Sequence, residues 1–241
     1  MRGRLAVLML HDVSEADQAE GYTVSRRRLR EVLEAVSRTD VAVQVQITFD
    51  DGALGTFERG LPELHATGTT ATLFATTDFI GRPGFMDRSM LRGWVEAGQA
   101  LGSHGVTHRP LSVLSEADAV AEFRDSRARL EDWAGVPVLD FAFPGGNDSR
   151  RLRNLALEVG YRHVYTSEPG FTSVTDRIRS RFTVRAGTPV AAVARLANAR
   201  LSGVFLLDGA LFQSKQLLGV RVYRRLRSIL RRHRPARDPA A

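Results

Sequence analysis

Short apolar strands and amphipathic helices alternate along nearly the whole of this 241-residue chain, and that rhythm leaves few architectures open. Leu5 to Leu10 reads as a buried strand. A period-2 strand follows, with Val41, Val43, Val45, Ile47 and Phe49 set against Ala42, Gln44, Gln46 and Thr48. Between them, Arg26 to Arg38 carries Leu29, Val32, Leu33 and Val36 at helical spacing behind a capping Ser25. Further helices are predicted around Phe57, Leu61 and Leu64, around Met90 to Val95, over 116–133, near 150–159 and over 190–201. Further strands are predicted over 70–77, 99–103, 139–143, 161–166, 181–185 and 204–207. Repeated β-α units call for a mainly parallel sheet covered by helices. With neither a G-x-G-x-x-G after the first strand nor a P-loop, an incomplete (β/α) barrel is favoured over an open nucleotide-binding sheet. In either architecture ligands collect at the carboxyl ends of the strands.

With 43% hydrophobic and 25% charged residues the chain is a folded protein, neither disordered nor collagen-like. It has no cysteine, which removes disulfides, thiol nucleophiles and thiolate metal sites and leaves His, Asp and Glu as metal ligands. The net charge of +7 is concentrated at one end: residues 209–241 hold nine Lys and Arg against Asp238 alone. The division expected is a barrel domain over 1–208 and a basic tail over 209–241, and a high isoelectric point confined to the tail gives no reason to expect a nucleic-acid partner. Leu5 to Leu10 is too short for a signal-peptide core or a membrane span, so the expected location is cytoplasmic or peripheral at the inner membrane face. Leu218, Val222, Leu226, Ile229 and Leu230 form an apolar stripe flanked by arginines. Residues 215–234 thus suit either contact with an anionic membrane or packing on the barrel.

Two short segments carry the chemistry. Ile47-Thr48-Phe49 delivers Asp50-Asp51-Gly52 at the end of a strand, and Gly102-Ser103-His104-Gly105-Val106-Thr107-His108 follows another. Each alone reads as an ordinary turn or a pair of surface histidines. Together they place one Asp and two His on one barrel face, an open three-ligand set suited to Zn2+, Fe2+ or Co2+, with the second Asp free to act as a base. His65 and His163 read as structural or solvent-facing, and Trp94 and Trp133 as packing residues.

These segments, with Phe141-Ala142-Phe143-Pro144-Gly145-Gly146 in the same order, resemble the polysaccharide deacetylases with the NodB homology domain, carbohydrate esterase family 4. The likeness runs from about Leu5 to Thr166. It implies a distorted (β/α) barrel, a divalent metal held by Asp51, His104 and His108, and Asp50 as general base. It also implies an oxyanion and substrate site at Phe143, Pro144 and Gly145, with the Gly145 N–H as donor. Two features depart from the fullest members of the family. Ala142 stands where an arginine restrains the base, in the style of the exopolysaccharide branch, and no late Leu-x-x-His supplies a general acid. His11, ending the first strand within a Leu-His-Asp-Val opening similar to that branch, is the candidate for the proton donor or for substrate contact. The resemblance implies removal of N-acetyl groups from amino sugars of a cell-surface or exported polysaccharide, with Zn2+ the first choice of ion. The alternative is a catalytically impaired, glycan-binding relative that keeps the metal site.

Overall fold

The computed structural model describes residues 3–37, 43–146 and 148–213. Strand β1 (Arg4–Leu10) leads into a small parallel pair, β2 (Asp12–Ser14) and β3 (Thr23–Ser25), and then helix α1 (Arg26–Ser37). The alternation continues through β4 (Val43–Asp51), α2 (Leu61–Thr67), β5 (Ala71–Ala75), α3 (Arg88–Glu96), β6 (Ala100–Ser103), α4 (Glu116–Ala134), β7 (Asp140–Ala142), α5 (Arg150–Val159) and β8 (His163–Tyr165). Strands β9 (Thr172–Ser173), β10 (Ile178–Arg179) and β11 (Phe182–Thr183), then α6 (Val190–Ala197), complete the named elements.

Eight strands pair in parallel in the order β10-β8-β7-β6-β5-β4-β1-β11, with β9 antiparallel beside β1, so the sheet curls into a nearly closed barrel. The two ends of that path, β10 and β11, are consecutive in the chain, and only Ser180 and Arg181 lie between them. The barrel seam therefore falls at Arg181.

The alternation in β4 explains where the core sits. Val43, Ile47 and Phe49 point outward into a large apolar cluster shared with α1, α3, α4 and α5, while the glutamine and threonine face lines the lumen. Gln46 Nε2 donates to the Tyr165 hydroxyl at 3.0 Å, and Tyr165, Asp140, His163 and Arg179 extend this polar network at the end of the barrel away from the carboxyl tips. A small apolar cluster in the lumen is formed by Leu5, Val7, Phe74, Ala142 and Tyr165, with Val174 packed against it. Trp94, fully buried and edge-on to Phe49, is a packing residue, and Arg88 stacks over Trp133. His163 differs from expectation in having a partner, the Asp140 carboxylate at 2.9 Å.

The stretch over 204–207 is helical, not a strand, and belongs to a helical run over 203–213. Four consecutive apolar residues have no period of their own, and here only Phe205 is buried while Leu206 and Leu207 face solvent, a one-sided helical arrangement. The expected helix over 190–201 ends at Ala197. Val41, Ala42 and the basic stretch 215–234 lie outside the described residues. Among the described residues no helix is long and apolar enough to cross a membrane.

Candidate metal and catalytic centre

Strand β4 ends at the carboxyl rim with both aspartates. Asp51 adopts a positive φ of 76° and Gly52 one of 89°, so the chain turns sharply and the two neighbouring carboxylates diverge. Asp50 points into the lumen and is buried; Asp51 faces the loop that leaves β6.

That loop brings the imidazoles in. His104 Nδ1 lies 2.8 Å from the Ala142 carbonyl, which can only accept, so Nδ1 carries the proton and Nε2 presents its lone pair. Nε2 of His104 is 3.5 Å and Nε2 of His108 3.1 Å from Asp51 Oδ1. One ligand atom from each of Asp51, His104 and His108 falls within 4.8 Å of the others, the spacing of a metal-binding set. Asp51 Oδ1 is buried yet receives no well-aligned hydrogen bond from the described residues. A buried, orphaned carboxylate oxygen facing two imidazole nitrogens fits a divalent cation better than it fits a dry polar pocket. The protonation states agree. Burial pushes His104 down to about 4, so this imidazole is neutral at physiological pH. Burial opposes charge at His108 as well, but the Asp51 carboxylate outweighs it and raises His108 above its ordinary value. Burial also favours the neutral acid at Asp51, and there the two imidazoles prevail and hold the carboxyl low.

Asp50 has a partner that sequence reasoning missed. Arg181, fully buried at the barrel seam, grips it bidentately, Nη1 to Oδ1 at 2.6 Å and Nη2 to Oδ2 at 2.9 Å. Its Nε donates to the Thr166 carbonyl at 3.0 Å, and its guanidinium lies over the Phe74 ring at 5.5 Å. Burial alone would neutralise Asp50; the Arg181 charge, with His104 and His11 behind it, holds the carboxyl below the usual range. With alanine at position 142, the arginine that meets Asp50 thus enters from the barrel seam. No local motif marks it, because it follows Asp50 by 131 residues in an arginine-rich chain.

His11 ends at the same rim, its ring 4.6 Å from Tyr22, with Nδ1 buried and unbonded among the described residues. Burial lowers its pKa, and the charges of Asp50 and Asp51 restore only part of the loss. Within the expected substrate segment 143–145, the Phe143 ring is buried edge-on to Phe141 and Phe123, its N–H donates to the Tyr165 carbonyl, and its carbonyl accepts from Gly146. Pro144 packs beside the histidine loop, 3.7 Å from where a Cβ on Gly105 would lie, and Gly145 and Gly146 turn the chain with φ of 60° and 61°. The rim therefore gathers Asp50, Asp51, His104, His108, His11 and the Pro144–Gly145 turn.

The fold that carries this site recurs in known proteins. The deacetylase PplD of Streptococcus pyogenes, solved with acetate, superposes with a TM-score of 0.71 at 17% identity, covering 79% of this chain and 96% of that one. IcaB from Ammonifex degensii gives 0.71 at 21% identity over 81% and 97%. The BpsB deacetylase domain from Bordetella bronchiseptica gives 0.62 at 20% over 76% and 97%. At these identities the likeness is one of fold, the NodB-type barrel. The polysaccharide deacetylase family model matches residues 38–164, more than half of the sequence and the stretch that carries Asp50, Asp51, His104 and His108; the chain belongs to the polysaccharide deacetylase family.

Proposed function

We propose that this chain is a metal-dependent deacetylase that hydrolyses the N-acetyl amide of amino sugars in a cell-surface or exported polysaccharide, or in its lipid-linked precursor. The observation that carries the reading is the orphaned Asp51 oxygen facing two imidazoles beside an Asp50 kept ionised by Arg181. Asp51, His104 and His108 would hold the ion, Zn2+ before Co2+ or Fe2+. When bound, the ion supplies Lewis acidity toward water and the acyl carbonyl.

The chain's own residues supply the rest. Asp50 takes the proton of the attacking water; Arg181 fixes its orientation and keeps it anionic in a buried setting. The Gly145 N–H, in the turn after Pro144, is assigned to the developing oxyanion. The nitrogen must gain a proton before the C–N bond breaks, and His11 is assigned to give it: an imidazole whose pKa burial has lowered is a strong acid once charged. The intact Asp50–Arg181 pair argues against a relative that only binds glycan, because binding needs no buried, oriented base. The test is metal analysis paired with acetate release from N-acetylglucosamine oligomers. Acetate release lost in Asp50→Asn with the metal retained supports the reading; a metal-free parent, or turnover unaffected by the substitution, refutes it. Membrane contact by residues 215–234 is a separate proposal resting on their basic charge, and equal sedimentation of the full chain and of a chain cut after residue 214 with anionic vesicles refutes it.

A further inference from the structure

The loop that carries both histidines leaves β6 with awkward geometry. Gly105 has φ 82°, and His108, which is not glycine, is held at φ 61°. A left-handed conformation at such a residue costs about 1–2 kcal/mol and persists only when its surroundings impose it. The contacts that impose it here converge on one side chain of α4. The Glu122 carboxylate, on a residue only 7% exposed, accepts the Val106 N–H at 2.6 Å and the Thr107 N–H at 3.1 Å through Oε2, and the Thr107 hydroxyl through Oε1. The same hydroxyl accepts from the Arg109 N–H at 3.3 Å, so the residues on both sides of His108 are tied to one anchor. Glu122 forms no ion pair with an Arg or Lys among the described residues. A buried carboxylate satisfied by loop N–H and O–H groups alone gives the loop a defined shape.

Helix α4 is a firm base for that anchor. Ser115 caps it, the Tyr161 hydroxyl donates to the Phe123 carbonyl at 2.8 Å, and Ser126 and Ser103 share a 2.7 Å hydrogen bond that ties the helix to the strand before the loop. The room left is tight, since a Cβ on Gly105 would lie 3.0 Å from Glu122 Oε2.

We propose that Glu122 is a positioning residue for the metal centre: it holds the loop of residues 104–108 in the one shape that brings both imidazoles onto Asp51, and so sets the affinity for the ion. The inference rests on the metal-site reading above. The decisive measurement is the Zn2+ dissociation constant, taken by competition with a chromophoric chelator on the full chain and with Zn2+ alone. Glu122→Gln keeps the size of the side chain but removes the charge from all three hydrogen bonds and sets an NH2 group where Oε1 accepts from the Thr107 hydroxyl, and is expected to weaken Zn2+ about 10–100-fold, the range for loss of an outer partner of a ligand. Thr107→Val, which removes one leg of the contact and leaves α4 untouched, is expected to weaken Zn2+ in the same direction and decides the matter if Glu122→Gln does not fold. Phe123→Leu, one residue along the helix and turned into the apolar core, lowers stability without touching the loop and is expected to leave Zn2+ affinity within twofold. For Glu122→Gln at saturating Zn2+, KM for the oligomer should be unchanged. Parent affinity in a folded Glu122→Gln or in Thr107→Val, or an equal loss in Phe123→Leu, overturns the proposal. A parent that binds no Zn2+ overturns the metal-site reading instead.

Discussion

At the scale of single residues, the buried pair of Asp50 and Arg181 makes the most exposed prediction. Removing one partner of such a pair costs about 3–5 kcal/mol, because the other charge is left without compensation. Arg181→Gln should therefore melt well below the parent. Its acid limb of activity should also move to higher pH, since burial would then raise Asp50 with only His104 and His11 opposing it. A pH–rate profile whose acid limb stays in place would remove Arg181 from the base. In the parent, the folded-state pKa of Asp50 lies below its ordinary value, so the stability it contributes is complete above about pH 4 and is lost as pH falls through the folded value. The histidines carry the opposite signal for metal loading. His104 is already neutral above about 4, whereas His108 has a raised pKa and still holds a proton just above its ordinary value of 6.5. Zn2+ binding should release that proton, and affinity should weaken as pH is lowered through this window. Calorimetry in two buffers of different ionisation enthalpy reads the proton directly; a buffer-independent heat at pH 6.5 would contradict it.

At the scale of elements, close approach inside the barrel governs what each strand tolerates. A Cβ on Gly102 in β6 would fall 2.5 Å from the Phe74 ring, which fills the lumen beneath Arg181. Gly102→Ala should cost about 1–3 kcal/mol as an overpacked site, and Phe74→Leu in the same chain should return part of it. Strictly additive denaturation free energies would show that the two positions do not meet. Elements are also where the sequence reads best. The period-2 pattern of β4 and the spacing of Leu29, Val32, Leu33 and Val36 each mark a face that must be buried, so sequence and structure agree there. The strand expected over 204–207 fails because a short apolar run satisfies either geometry. The two-residue strands β9 and β10 escape because nothing that short has a period, whereas β11 falls inside the strand expected over 181–185. The role of Asp51, His104 and His108 as donors is the proposal made above; that they come together is readable because both motifs end strands whose tips must converge. Arg181 and Glu122 are not, since a partner set by tertiary packing leaves no local spacing. The burial of Phe143 escapes for the converse reason: it neighbours the rim in sequence while its ring packs on Phe123 and Phe141.

At the scale of the whole molecule, the apolar core lies between sheet and helices, and the barrel lumen holds two hydrogen-bonded groups, Asp140, His163, Tyr165 and Gln46 at one end and Arg181 with Asp50 at the other, with the Phe74 ring between Tyr165 and Arg181. Strand β4 is paired along both edges, whereas β10 and β11 each contribute only two residues at the ends of the sheet. Amide exchange should accordingly be slowest in β4 and report global unfolding there, with β10, β11 and the helical run over 203–213 opening locally. Protection in β11 equal to that in β4 would mean that the seam is fastened more tightly than its pairing suggests.

The position of that seam has a bearing on biosynthesis. The proposed donors for the ion lie in the first half of the polypeptide, whereas the guanidinium that grips Asp50 comes from Arg181, between β10 and β11. On the proposed reading, a ribosome-bound fragment ending before Arg181 already holds every donor for its cation and still lacks the partner of its base.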